Sequence, residues 1–265
     1  MSTTANVQET SVDSEVLTEI RGNVLIITMN RPAAKNAATE AMAKDMAKIL
    51  DDFEANDELF VAVLTGAAQT FCSGMDLKGF VRGERPSVEG RGFLAITEQP
   101  PTKPIIAAVE GYALAGGFET MLACDLVVAA ETAKFGIPEV KRGLAAAAGG
   151  LLTLPSRTHR AIAMEMALTG DIYSAEFGHA HGFVNQLVPE GEAVEAALKL
   201  AEKIAANGPL AVRASKRVIV ESSEWDESEK FAKQSEILDP IFTSKDAKEG
   251  ASAFAEKRAP QWTGS

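Results

Sequence analysis

Residues 110–119 read EGYALAGGFE, and the apolar run TMLAC follows at 120–124. Packing alone would favour Ala and Leu at the head of such a run, yet Gly116, Gly117 and the carboxylate Glu119 stand there. Before it, KPIIAAVEG has the continuous apolar character of a buried strand, and after it CDLVVAAE has the same. The stretch is therefore the turn and helix of a strand–helix–strand unit, which points to an α/β layered domain.

The same alternation extends outward. EVLTEI, the turn Arg21-Gly22-Asn23 and VLIITM form a β-hairpin whose second strand is nearly all apolar and hence central. From Thr39 the spacing predicts a helix, with Met42, Met46, Ile49, Leu50 and Phe53 on one face and Lys44, Asp45, Lys48 and Asp51 on the other. LFVAVLTG is a short buried strand, and the polar KGFVRGERPSVEGRG is expected to be a mobile surface segment. RAIAMEMALTG reads as a helix stopped by Gly170, and SAEFGHAHG starts another before the strand FVNQLV. From about residue 190 only helical patterns remain, four of them, broken by NGP and DP. Their apolar faces exceed what one domain needs, which predicts packing on a second copy.

The chain has 265 residues, enough for a sizeable core, with 46% hydrophobic and 24% charged residues. No apolar run approaches the length of a bilayer span, and the polar, acidic start is expected to be a disordered tail without a signal peptide. Cys72 and Cys124 lie in apolar segments without partners at metal-ligand spacing, which excludes a disulfide framework, predicts no metal site and fits a reducing cytoplasm. The net charge of −11 disfavours nucleic acid and anionic membrane as partners.

Three stretches carry candidate chemistry: FCSGMD at 71–76, EGYALAGGFE, and FGIPEVKRGLAAAAGG at 135–150. A helix beginning at Gly116 leaves its first N–H groups without intrahelical partners, and a small-residue turn after a strand aims backbone donors into a cavity. Two such donors meeting at one point make an oxyanion hole. The alternative is that Gly116 and Gly117 only allow close packing. Glu119 and Glu139 both stand in apolar surroundings, where burial raises a carboxyl pKa toward about 6 to 7, a range suited to acid–base catalysis. The alternative for Glu139 is an ion pair with Lys141 or Arg142. A Ser/His/Asp triad is disfavoured, because Ser73 sits in Cys-Ser-Gly and His159, His179 and His181 lie on distant helical segments. The glycine spacing matches neither a dinucleotide fingerprint nor a P-loop.

In their order, NRPAAKNA, FCSGMDLK, KPIIAAVEGYALAGGFE, CDLVVAAETAKFGIPEVKRGL, AMEMALTG and EGASAFAEKRAPQW resemble the enoyl-CoA hydratase/isomerase (crotonase) family, nearest in pattern to its enoyl-CoA hydratases and carnitinyl-CoA dehydratases. The resemblance implies a crotonase-like spiral of ββα units over 14–195, after a tail at 1–13, and a C-terminal helical region at 196–265 that builds a homotrimer or a dimer of trimers. It implies an acyl-CoA substrate and no cofactor. By position, the backbone N–H groups of Ser73 and Gly116 would polarise the thioester carbonyl, Glu119 would draw a proton from water, and Glu139 would deliver one to the α-carbon. CoA would lie near Lys35, Asn36 and Ala37 and near Asp76, Leu77 and Lys78, with Phe254 and Lys257 closing over it. Retention of both acids favours hydration or dehydration; double-bond isomerisation and a non-enzymatic CoA- or partner-binding homologue are the alternatives. Ala115 and Ala147 stand where many hydratases have glycine, which bears on acyl specificity.

Overall fold

A computed structural model describes residues 14–265; the expected tail at 1–13 lies outside the described residues. In chain order it contains β1 (Val16–Arg21), β2 (Val24–Met29), α1 (Glu40–Ala55), β3 (Val61–Gly66), α2 (Leu77–Val81), β4 (Ser87–Val88), β5 (Gly92–Phe93) and β6 (Ile105–Val109). There follow β7 (Tyr112–Leu114), α3 (Gly116–Ala123), β8 (Leu126–Ala130), β9 (Lys134–Gly136), α4 (Gly150–Arg157), α5 (Arg160–Thr169), β10 (Tyr173–Ser174), α6 (Ala175–Ala180) and β11 (Gln186–Val188). Four helices close the chain: α7 (Ala193–Ala205), α8 (Pro209–Glu221), α9 (Lys230–Phe242) and α10 (Lys245–Glu256).

The main sheet has the order β1-β2-β3-β6-β8-β11, antiparallel only between β1 and β2. Its hairpin register pairs Arg21 with Val24, so Gly22-Asn23 is a two-residue loop, and Gly22 takes the φ of +58° that such a loop requires. The inner strands β2, β3, β6 and β8 are apolar apart from Thr28 and Thr65 because both faces are covered. Alternate residues divide between two cores. Val24, Ile26, Val63, Ile106 and Val128 meet Ala197, Leu198 and Ala201 of α7, while Leu25, Ile27, Leu64, Ala107 and Val127 join α1, α3 and the rings of Phe118, Phe135 and Phe183 on the other face. Those three rings contact one another at centroid distances of 5.6 to 6.0 Å. A second sheet, β10-β9-β7, carries the chain from β6 into α3 and from β8 toward residue 137.

Helix α1 starts where its pattern predicts, with the Thr39 hydroxyl accepting from the Met42 N–H at 3.0 Å. Two readings are corrected. The segment 78–92 holds part of α2 and the hairpin β4-β5 rather than loop alone, and the buried residues Phe93, Leu94 and Ile96 behind it anchor that hairpin. The DP pair does not separate two helices: Pro240 sits inside α9, and the chain breaks at Thr243-Ser244, where the Ser244 hydroxyl caps α10.

Candidate active site

Strand β7 delivers the chain to Ala115, the residue before α3, at φ 51° and ψ −130°, a conformation that belongs to glycine. It directs α3 into the core between two tight contacts. A Cβ on Gly117 would lie 2.2 Å from the Cys72 carbonyl oxygen, and one on Gly116 would lie 2.6 Å from the Phe93 ring. Both glycines are therefore demanded by packing, yet Gly116 does more. It lines the cavity, and among the described residues its N–H meets no acceptor. The turn at 73–74 abuts it, since a Cβ on Gly74 would be 3.4 Å from the Gly116 nitrogen.

Ser73 lines the same cavity, but its N–H already donates to the Lys35 carbonyl at 3.1 Å. A carbonyl oxygen arriving beside Gly116 has to share that donor with Lys35 or displace it. The Ser73 hydroxyl has no histidine neighbour to activate it, because none of His159, His179 and His181 lines the cavity.

Glu119, 4% exposed, points from α3 into the cavity floor. Its Oε1 accepts from the Ala148 and Gly150 N–H groups, each at 2.9 Å, at the start of α4. Burial raises its pKa, and those two hydrogen bonds moderate the rise. Glu139 enters from the opposite side on a 3-10 turn, Pro138–Arg142, whose proline fixes the entry and whose Gly143 ends it in the left-handed region. The expected ion-pair alternative does not occur: Lys141 pairs with Asp171 at 2.6 Å, and the Glu139 Oε2 is buried with no hydrogen-bond partner. Burial above all, aided by the nearby Glu119 charge, pushes the Glu139 carboxyl up to about 7, outweighing its own backbone N–H and Arg142. Two carboxyl groups, one pinned and one unsatisfied, thus face a cavity of about 620 Å³ beside a free backbone donor. Such a pair can hold a water and exchange protons with a substrate at neutral pH.

The residues expected to hold a nucleotide-bearing ligand divide into three groups. Lys35 and Leu77 line the cavity, and the Lys35 ammonium lies 5.1 Å from the centre of the Tyr112 ring at its mouth. Lys78 is exposed and Ala37 is buried, and neither lines the cavity. Asn36 and Asp76 are occupied structurally. The fully buried Asn36 side chain accepts from the Arg31 N–H and donates to the Ala67 and Thr70 carbonyls, holding together the loop before α1 and the end of β3. Asp76 caps α2 and pairs with Arg31 at 3.0 Å. Phe254 and Lys257, on α10 and at its C-terminal cap, are not brought to the cavity within one chain.

Sequence reading missed Phe93, which covers Gly116, and the Ala148 and Gly150 amides that hold Glu119. The glycine pair closing AAAAGG was the available signal, since Gly150 is needed to let Glu119 approach: a Cβ there would lie 2.7 Å from the Glu119 Cγ.

The enoyl-CoA hydratase/isomerase family profile matches residues 19–265. Enoyl-CoA hydratase EchA19 of Mycobacterium tuberculosis is 41% identical over 259 residues, covering 94% of this chain and 96% of that one. Carnitinyl-CoA dehydratase of Proteus mirabilis is 39% identical, covering 92% of this chain and 96% of that one. Among solved structures, enoyl-CoA hydratase EchA1 from Mycobacterium marinum superposes with a TM-score of 0.94 at 60% identity, covering 96% of this chain and all of that one (100%). With these likenesses running nearly end to end and the glutamate pair in place, the chain belongs to the enoyl-CoA hydratase/isomerase family and has its crotonase fold.

Proposed function

We propose that this chain adds water reversibly across the α,β double bond of an enoyl-CoA thioester, and that Glu119, Glu139, Gly116 and Ser73 carry the reaction. Acyl-CoA hydratase/dehydratase activity, a hydro-lyase reaction, is the activity of the relatives it matches. The observation that carries the residue roles is the contrast between the carboxyls: Glu119 is fixed by two amides, and Glu139 keeps a buried Oε2 without a partner and a pKa pushed up to about 7.

In this reading the thioester oxygen lies at the Gly116 N–H, with the Ser73 N–H turning from Lys35 to share it as enolate charge develops. Glu119, positioned by its two amides, takes a proton from water as the oxygen bonds to the β-carbon. Glu139, neutral at its raised pKa, gives its proton to the α-carbon. In reverse the same groups eliminate water from a 3-hydroxyacyl thioester. The chemistry is proton transfer throughout and calls on no redox cofactor or metal. Of the expected CoA set, Lys35 and Leu77 line the cavity, which supports their meeting the ligand, and a local lysine offsets a net negative chain at short range.

A homotrimer or dimer of trimers follows from the same reading. Phe231 and Phe242 on α9 and Phe254 on α10 are 82%, 76% and 88% exposed, more apolar surface than a lone chain leaves in water. A neighbouring copy would bring Phe254 and Lys257 to a cavity that their own chain does not reach. No helix among the described residues is long and apolar enough to cross a membrane, and a cytoplasmic location fits the free, buried Cys72 and Cys124.

The test is turnover of crotonyl-CoA in ¹⁸O-labelled water. The wild type should place label on the β-carbon, and Glu119→Gln and Glu139→Gln should each lower the rate by about 10³-fold or more. Rates equal to wild type in both variants, or isomerised product without label, would sink the assignment.

A further inference from the structure

Six charged side chains line the cavity: Lys35, Arg85, Glu98, Glu119, Glu139 and Arg142. The two glutamates form the reaction centre and Lys35 sits at the mouth over Tyr112. Arg85 and Arg142 have no such employment. Among the described residues neither forms an ion pair: Glu84 goes to Arg82 at 2.8 Å, and Asp171 goes to Lys141.

Both line the same cavity as the two glutamates. Arg142 closes the 3-10 turn that carries Glu139, and its charge acts on that carboxyl. Arg85 lies two residues before Ser87, which pairs with Phe93, whose ring covers Gly116. The phosphates of CoA are held a full pantetheine arm from the thioester, so a cation whose charge acts on Glu139 addresses the acyl group, and Arg85 lines the same cavity. Arg85 is also pre-set. Its guanidinium stacks 4.3 Å from the centre of the Phe80 ring and donates to the Glu84 carbonyl at 2.8 Å, leaving further N–H groups for a ligand.

That stacking argues against a quaternary ammonium on the acyl chain, because the Phe80 face that would receive it is taken and two guanidinium charges repel it. Glu98 is the one carboxylate on this wall outside the catalytic pair, and it stands against two cations. Phe80, Leu144 and Ala147 supply apolar wall for the methylenes between.

We propose that Arg85 and Arg142 receive a carboxylate at the far end of the acyl group, so that the site prefers the CoA monothioester of an unsaturated dicarboxylic acid over plain enoyl-CoA or a trimethylammonio-acyl-CoA. This rests on the acyl-CoA reading above and names its substrate class. A charge-assisted, bidentate-capable contact is expected to favour the carboxylate by about tenfold or more in affinity.

The test uses saturated thioesters of matched length, which bind without reacting: hexanoyl-CoA, adipoyl-CoA and an ω-trimethylammonio-acyl-CoA, titrated calorimetrically into the full chain. Wild type should bind adipoyl-CoA about tenfold or more tightly than hexanoyl-CoA. That ratio should shrink in Arg85→Gln and in Arg142→Gln and approach about one in the double variant. Equal affinity in the wild type overturns the proposal, as does a ratio that survives in the double variant, including the case where both ligands weaken alike because the arginines serve the CoA phosphates. Tightest binding of the trimethylammonio thioester overturns it too. Because none of these ligands turns over, the result stands apart from the hydration assay, whose failure would instead remove the catalytic reading.

Discussion

Glu119 and Glu139 are the same residue in the same cavity, yet their surroundings differ in one respect that decides their chemistry. Glu119 sits on a regular helix and meets a second helix start, whose two amides hold Oε1 in place. Glu139 sits on a short 3-10 turn with nothing bonded to its Oε2. Donors stabilise the ionised form and burial without donors destabilises it, which is the basis for proposing the first carboxyl as the base and the second as the acid. A difference in backbone geometry is thereby read out as a difference in proton affinity.

The comparison breaks most sharply if the amides are taken from Glu119. Gly150→Ala places a Cβ 2.7 Å from the Glu119 Cγ, which must swing off its two donors. The expected outcome is a fall in kcat of about 10²-fold with KM little changed, measured by steady-state kinetics. A rate near wild type would show that the amides do not matter.

The pH profile sharpens the other half. Hydration requires Glu139 protonated with Glu119 ionised, so kcat/KM should fall about tenfold per pH unit above about 7 and fall again on the acid side as Glu119, itself raised by burial, takes up a proton. Because hydration consumes no net proton, dehydration draws on the same singly protonated pair and should show the same limbs in kcat/KM. A profile that stays level from about pH 6 to pH 9 would contradict the assignment of Glu139 as the acid.

Stability should follow the same group. The folded pKa of about 7 lies above the ordinary 4.5, so this group's contribution to stability is fully present below pH 4.5 and is lost as pH rises through 7. Glu139→Gln removes the buried charge. It should leave stability at pH 4.5 nearly unchanged and raise it at pH 8 by about 1–3 kcal/mol, read from urea unfolding at both pH values. A variant with the wild-type pH dependence would argue that the carboxyl is not desolvated in solution.

The smallest effect concerns the residue that launches α3. Ala115 holds a glycine conformation at a cost of about 1–3 kcal/mol, part of which glycine would return to the unfolded chain as entropy. Ala115→Gly should therefore stabilise by about 1 kcal/mol, seen as a higher Tm. A lower Tm would mean that the methyl contributes packing against Gly74 that outweighs the strain.

Much of this was legible in the chain. The β1-β2 hairpin, α1 with its Thr39 cap, the buried parallel strands and the four C-terminal helices all follow local periodicity and capping, which depend on neighbouring residues alone. Less legible was anything whose cause lies far along the chain. The segment 78–92 looked like loop because its own residues are polar and rich in glycine, yet Phe93 and Leu94 dock it on the core. Pro240 looked like a break because helix interiors disfavour it, yet α9 runs past it to Phe242. Asn36 looked like a ligand contact, and three backbone partners claim its side chain instead.

By itself the sequence determined the order of strands and helices, the two glycines and the two glutamates, because hydrophobic period, turn chemistry and residue type are local properties. Only the tertiary structure decided which glutamate is pinned by two distant amides and which keeps a buried Oε2 without a donor, that Ser73 already spends its N–H on Lys35, and that Arg85 and Arg142 line the cavity without an ion pair among the described residues. Those outcomes depend on which distant backbone amides and charges come to lie against a side chain, and that is settled only when the sheets and helices close around the cavity.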